Sequence, residues 1–501
     1  MIFSTDKNSD NKINLICEEE AKANENIEFI DTPIYDFVLK YSKSDSTRFH
    51  MPGHKGISRI GCEPFDITEI DGADVLYGNC NEKGIIQESM ENAAKLFGTK
   101  KTFYSTEGSS HCIRAMLGAV NACRKINNNS SKTLILAARN VHKSFVYAVA
   151  ALDLEVEWIY PKKFTHLCSC LITAEDVKRE IQTINEKYGK NPDAVYVTSP
   201  DYMGNIADIE GISQICHQNN ILLLVDNAHG AYLAFMEKYS HPIHAGADIC
   251  CDSAHKTLPV LTGGAYLHFS TDCDEKYISS AENMLRVFGS TSPSYIIMAS
   301  LDLCNKYLKE EFPQKIAYTL EKVIETKKQL KEFGLALNDT EPLKFVINAA
   351  KSGINGNLLA EALVKNNIFP EMYDEDYVVL MVTTENKDED YDRLLSVSAE
   401  AVKNAKASYD CKCLKNYEDI YDATILEEFR PRDCKMSIRD AVFSMSEIIP
   451  TEKSLGKICA APVVICPPAI PVVISGEVIT SNDISIMKKY GIDEIAIVAC
   501  T

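Results

Sequence analysis

Ile221-Leu222-Leu223-Leu224-Val225-Asp226-Asn227-Ala228-His229-Gly230 decides the fold. Five consecutive apolar residues without polar alternation predict a β-strand covered on both faces, as in a parallel sheet with helices on either side. The run ends on a carboxylate, which is costly in an apolar setting unless a cation or donor meets it. Ligands of open α/β sheets bind outside the carboxyl ends of the strands, so Asp226 marks a candidate site.

Outward from that strand the pattern repeats. Strands are predicted over 101–105, 133–137, 155–159, 194–198, 249–252 and 264–269, with helical patterns over 112–124, 144–152, 174–188 and 210–219. Such alternation implies a large α/β domain with a mainly parallel sheet. After residue 300 it stops. One long charged helical region is predicted over 300–333, then a mixed segment with strand-like Phe345-Val346-Ile347 and 377–382. The charge run Lys387-Asp388-Glu389-Asp390 reads as a solvated loop or helix start. The expected organisation is an N-terminal arm and helix over 1–50, a large domain over 51–310 and a smaller α+β region over 311–501.

Composition narrows the function. A chain of 501 residues suggests two or three domains. The net charge of −19, without a basic patch, argues against a nucleic-acid partner. The longest apolar run, 458–474, holds Pro462, Pro467, Pro468 and Pro471 and is shorter than a bilayer span, so it reads as buried strand and turn and no membrane is expected. The N-terminus, Met1-Ile2-Phe3-Ser4-Thr5-Asp6, lacks a basic stretch followed by an apolar core, so no signal peptide is expected. The 18 cysteines are then reduced thiols in a cytoplasm. Cys411-Lys412-Cys413 lacks a second pair at ligand spacing, and no metal is expected.

Four strand-to-helix junctions carry the chemistry. Thr106-Glu107-Gly108-Ser109-Ser110-His111 offers Gly108, two hydroxyls and helix N-terminal amides, the parts of a phosphate cradle or simply of a helix cap. Asn140-Val141-His142-Lys143-Ser144 offers an imidazole that can stack on a flat ring, or serve structurally. At the third, Ala228 is small enough to let a planar ligand lie on the backbone beyond Asp226. The fourth is Asp252-Ser253-Ala254-His255-Lys256-Thr257. Together they supply what pyridoxal 5'-phosphate needs: Lys256 for a Schiff base, Asp226 to keep the pyridinium protonated, a ring sandwich and a phosphate cradle.

The ordered set resembles a known family. Ser253-Ala254-His255-Lys256-Thr257-Leu258-Pro259 is similar to the Schiff-base motif of the bacterial ornithine/lysine/arginine decarboxylases, pyridoxal-phosphate enzymes of the aspartate-aminotransferase fold class (fold type I). Met51-Pro52-Gly53-His54-Lys55-Gly56, the His142 segment, Gly289-Ser290-Thr291-Ser292-Pro293-Ser294-Tyr295 and Cys466-Pro467-Pro468-Ala469-Ile470-Pro471 with Gly476-Glu477 resemble other motifs of that family. Ala469 stands where glycine is usual and Cys466 where an aromatic is common, in a region expected to line the distal end of the substrate. The chain resembles the short form, without the long receiver-like N-terminal domain, and arginine decarboxylase within it.

The resemblance implies roles. Lys256 is the Schiff-base lysine and Asp226 the pyridinium partner. His142 stacks on the ring and Ala228 packs on its other face. Gly108, Ser109, Ser110, Ser253 and His255 hold the phosphate. Thr291 or Ser292 from a neighbouring subunit completes the site, so a homodimer or higher homo-oligomer is expected. His255 or Lys256 reprotonates the α-carbon, and Glu477 receives the distal cation of a basic amino acid. The implied reaction is arginine to agmatine with loss of CO2, in polyamine biosynthesis. Lysine or ornithine as substrate, an aminotransferase or other lyase on the same fold, and a non-catalytic regulatory paralogue are the alternatives.

Overall fold

The computed structural model describes residues 30–68, 84–126, 131–160, 166–237, 240–408, 432–465 and 469–499. Its elements begin with α1 (Pro33–Ser42) and α2 (Ile85–Leu96). The sheet region follows: β1 (Lys101–Ser105), α3 (Ser109–Ile126), β2 (Leu134–Ala138), α4 (Lys143–Leu152), β3 (Glu155–Ile159), α5 (Ala174–Tyr188), β4 (Ala194–Thr198), α6 (Ile209–Gln218), β5 (Leu222–Asp226), β6 (Ile249–Asp252), the single turn α7 (Ala254–Thr257) and β7 (Ala265–Phe269). Helices α8 (Glu275–Phe288), α9 (Tyr295–Glu310) and α10 (Phe312–Phe333) lead out of it.

The seven strands lie in the order β1-β7-β6-β5-β4-β2-β3. Pairings from β3 through β2, β4 and β5 to β6 are parallel, and β7 runs antiparallel to both β6 and β1. The unbroken apolar strands have a direct cause in this arrangement. Successive side chains point to opposite faces, and each face meets its own core. Ile135 and Ala137, Tyr196, Leu224 and Cys251 join one core, with Phe145 of α4 and Met116 of α3. Leu134 and Leu136, Val195, Leu223 and Val225, and Cys250 join the other, with Val177 of α5 and Ile212 of α6. A strand buried on both sides has no solvent face on which to alternate.

The helical region expected as one element over 300–333 is two. Pro313 stands in the first turn of α10, where its missing N–H is tolerated, and the chain turns at Glu311 between α9 and α10. Helix α1 docks on α9 through a buried carboxylate: Asp302 Oδ2 accepts the N–H groups of Ile34 and Tyr35 at 2.9 and 3.0 Å.

A second, antiparallel sheet follows in the order β10-β11-β9-β8, from β8 (Ala336–Leu337), β9 (Lys344–Asn348), β10 (Met372–Tyr373) and β11 (Tyr377–Met381), with α11 (Gly356–Lys365) and α12 (Asp388–Ser408). The charge run at 387–390 is the solvated start of α12. The last segment holds α13 (Ile438–Phe443), β12 (Ser446–Pro450), β13 (Val463–Ile465), β14 (Ile470–Val473), α14 (Ser481–Lys489) and β15 (Glu494–Val498); β12 pairs with β15, and β13 with β14. The proline-punctuated run 458–474 thus contributes the β13–β14 pair, while Cys466, Pro467, Pro468 and the Cys411–Cys413 pair lie outside the described residues. No helix among the described residues is long and apolar enough to cross a membrane. Cysteines among the described residues are free thiols, nearly all buried.

Candidate active site

The C-terminal ends of β1, β2, β4, β5 and β6 share one edge of the large sheet, where β7 begins. A cavity of about 440 Å³ opens there, lined from each of these ends: Glu107 to Ser110 after β1, Asn140 and His142 after β2, Thr198 and Tyr202 at β4, Asp226, Ala228 and His229 at β5, and Ser253, His255 and Lys256 after β6. Thr262, Gly263, Glu371, Ala469 and Ile470 complete the wall.

Lys256 projects from the single turn α7, with its Nζ 3.1 Å from His229 Nε2. Burial pushes its amine below the usual lysine range, opposed by the charge of Asp226. Asp226 ends β5 and is 3% exposed. Its Oδ1 accepts the Ala228 N–H at 3.2 Å and its Oδ2 the Tyr196 hydroxyl at 3.3 Å. Burial raises its carboxyl, and the Lys256 charge works the other way. His142 caps α4, its Nδ1 accepting from the Ser144 N–H at 3.2 Å. Burial, then the Lys256 and Lys143 charges, take its imidazole down to about 4.

Hydroxyl pairs gather at the start of α3. Ser253 Oγ donates to Ser109 Oγ at 2.8 Å, and Ser110 Oγ lies 2.6 Å from Ser144 Oγ. Gly108 has φ +73°, and its N–H donates to the Gly263 carbonyl at 2.7 Å. Gly263 has φ +99°, and a Cβ there would meet the Thr106 carbonyl oxygen at 2.7 Å, so this pair of loops closes only with glycine. His255 Nδ1 donates to the Gly264 carbonyl at 2.9 Å, which leaves Nε2 for the cavity.

Behind the site lies a network that was not legible in the sequence. Asp252, fully buried one residue before Ser253, accepts from His241 Nε2 at 3.0 Å, His268 Nε2 at 3.2 Å and Asn227 Nδ2 at 2.7 Å. The other ring nitrogens are engaged too: His268 Nδ1 lies 2.8 Å from Thr102 Oγ1, and His241 Nδ1 accepts the Ile243 N–H at 3.3 Å. Burial lowers the His268 imidazole, so a neutral ring donates to an ionised Asp252, whose own carboxyl is held down by the two histidines. The three groups lie close enough to ligate a cation, but each ligand atom is already spent on a hydrogen bond. The network ties Asn227, next to Asp226, to the strand that delivers Lys256.

Glu477 is not brought to the cavity. It is 1% exposed and paired with Arg139 at 3.1 Å, with Arg432 at 3.9 Å. Its Oε2 also accepts the Ile474 N–H at 2.7 Å. A carboxylate so enclosed is neutralised internally, which corrects its expected role toward a substrate cation. Thr291 and Ser292 are exposed and do not line this chain's own cavity; the adjacent Ser290 N–H donates to Glu107 of the wall at 2.6 Å. Ala469 and Ile470 do stand on the wall. Tyr202, His229 and Glu371 were missed. His229 shares a motif with Asp226; the other two had no local signal.

Several buried polar atoms of the cavity wall have no partner among the described residues: Asn140 Nδ2 and Oδ1, Thr198 Oγ1 and His229 Nδ1. Buried polar groups of this kind call for a ligand or water. With a lysine whose amine burial pushes down, a strand-end carboxylate and a hydroxyl-lined helix N-terminus, the donor set fits pyridoxal phosphate.

Comparison with known proteins gives the same direction. The family model "Orn/Lys/Arg decarboxylase, major domain" matches residues 32–349, more than half of the chain. Arginine decarboxylase of Bacillus subtilis is 29% identical over 488 residues, covering 92% of this chain and 93% of that protein. The constitutive lysine decarboxylase of Escherichia coli is 25% identical over 315 residues, covering 57% of this chain and 41% of that protein. Among solved structures, the Francisella novicida lysine decarboxylase superposes with a TM-score of 0.73 at 18% identity, covering 99% of this chain and 84% of that one. At that identity the likeness is one of fold.

Proposed function

The chain belongs to the Orn/Lys/Arg decarboxylase family, and from that premise we propose that it removes the α-carboxylate of a basic amino acid as CO2, arginine before lysine or ornithine. The observation that carries the reading is a cavity that sets one half-buried lysine against one buried strand-end carboxylate, with no arginine among the described residues lining it. An aminotransferase typically holds the substrate carboxylate in the ring plane with an arginine, which this wall does not offer. Arginine is favoured because the arginine decarboxylase of B. subtilis matches over nearly its whole length.

Pyridoxal phosphate, when bound, supplies a sink for the electron pair left behind as CO2 departs. Lys256 would hold it through Nζ, and burial, which pushes this amine below the usual lysine range, favours that nucleophilic task. Asp226 would keep a proton on the ring nitrogen, its carboxylate aimed by the Ala228 N–H and the Tyr196 hydroxyl. His142 would lie on one face of the ring and Ala228 on the other. The hydroxyls of Ser109, Ser110 and Ser253, the first-turn amides of α3 and His255 would hold the phosphate, with Gly108 allowing close approach. Lys256 Nζ or His255 Nε2 would return a proton to the α-carbon. Thr291 or Ser292 of a neighbouring subunit would close the mouth, in a cytoplasmic homodimer that serves polyamine synthesis. The division we infer is an arm over 1–50, a cofactor domain over 51–310 and a C-terminal region over 311–501.

The test is direct. The purified protein, loaded with pyridoxal phosphate, is incubated separately with arginine, lysine and ornithine, and the products are identified. Agmatine with CO2 is the expected result. A ketoacid product would assign an aminotransferase, and the absence of turnover with all three would favour the regulatory alternative.

A further inference from the structure

Resting on the decarboxylase reading, we propose that Glu371, seated by Tyr202, receives the distal cation of the substrate. Three carboxylates stand on the cavity wall among the described residues: Glu107, Asp226 and Glu371. Asp226 is enclosed at the end of β5 and engaged by Ala228 and Tyr196. Glu107 adjoins Gly108 at the phosphate end and accepts the Ser290 N–H at 2.6 Å. Glu371 enters from a separate wall. It precedes β10 in the second sheet, where its N–H donates to the Val379 carbonyl at 2.9 Å, so its backbone is fixed by sheet pairing.

The side chain is fixed as well. Tyr202 donates its hydroxyl to Glu371 Oε1 at 2.5 Å. The Tyr202 ring meets His229 edge-on, centroids 5.0 Å apart at 79°, and His229 Nε2 touches Lys256 Nζ. Three contacts in series therefore register this carboxylate to the lysine where the α-amino group of a substrate would react. No ion pair engages Glu371 among the described residues. Lys344 lies beneath Tyr202, 5.7 Å from its ring, but is committed to Glu341 at 3.7 Å and to the carbonyls of Asp201 and Tyr202 at 3.3 and 3.4 Å. One oxygen of Glu371 is oriented by a neutral donor, and its charge acts on Lys256 and Lys344 without an ion pair to either, which leaves this exposed carboxylate able to take a guanidinium or ammonium group at the far end of an amino acid.

The experiment compares Glu371→Gln with the wild-type holoenzyme, using arginine and its neutral isostere citrulline, and agmatine as a non-reacting ligand. The variant should raise the KM for arginine and the Kd for agmatine by roughly 10- to 100-fold, the effect of one charge-assisted contact. The response to citrulline and the visible absorbance of the bound cofactor should not change. Glu371→Asp should restore part of the loss. Glu477→Gln should lower thermal stability and leave the ratio of arginine to citrulline unchanged. Equal losses for arginine and citrulline in Glu371→Gln, or an unchanged agmatine Kd, would overturn the assignment. So would a shift of the ratio in Glu477→Gln alone. A wild-type enzyme that decarboxylates no basic amino acid would instead overturn the reading beneath it.

Discussion

Lys256 Nζ lies 3.1 Å from His229 Nε2, a distance two cations would not hold. Burial and the Lys256 charge push the His229 imidazole well below its usual range, so His229 is the neutral acceptor of a proton on Nζ. His229→Phe keeps a ring against Tyr202 and removes that acceptor. The variant should fold normally and bind pyridoxal phosphate more slowly, by about tenfold if one hydrogen bond to a charged group is lost. Stopped-flow absorbance after mixing apoprotein with cofactor measures it.

His142 offers a pH test. With its imidazole at about 4, it stays neutral from pH 5.5 to 9, and cofactor affinity over that range should show no titration assignable to it. His142→Ala should weaken cofactor binding by roughly 3- to 10-fold, the worth of a stacked ring. His142→Phe should recover most of that. Equilibrium titration followed by absorbance separates the two.

How much of this was legible in the sequence follows from distance along the chain. Asp226 closes one apolar strand and Lys256 follows the end of the next by four residues, and strand ends on one edge converge by topology, so local runs sufficed. The break between α9 and α10 was also written locally, in Pro313, and was overridden by the helical pattern around it. Glu371 and Tyr202 meet across 169 positions, and Arg139 and Glu477 across 338. Motif reading placed Glu477 near the substrate; only packing shows that Arg139 takes its charge. The histidines around Asp252 were equally silent, because what they do depends on which ring nitrogens face which neighbour.

That network should be costly to break. Asp252 accepts three donors in a site closed to water. Removing one partner of a buried charged set typically costs about 3–5 kcal/mol. Asp252→Ala is expected to lose stability on that scale in chemical denaturation, and to lose cofactor affinity with it, because Asn227 and Ser253 are released together. Asp252→Asn should fall between.

Asp302 links stability to pH. Burial raises its carboxyl to about 7 in spite of the Ser89 hydroxyl and the two α1 amides it accepts. The folded state thus binds a proton that the unfolded chain, titrating near 4, releases earlier. Stability from this group is full below pH 4 and is lost as pH rises toward 7, on the order of 4 kcal/mol at most. Asp302→Asn should flatten that slope. Thermal melts between pH 5 and 8 read it.

Lys256 is the residue on which the proposed chemistry depends, as the carrier of the cofactor. Borohydride reduction of the holoenzyme, followed by proteolysis and mass spectrometry, locates that bond. The predicted result is the pyridoxyl mass on the peptide containing Lys256, and its loss in Lys256→Ala together with all decarboxylation. The same mass on another lysine, or undiminished agmatine formation by Lys256→Ala, would contradict it.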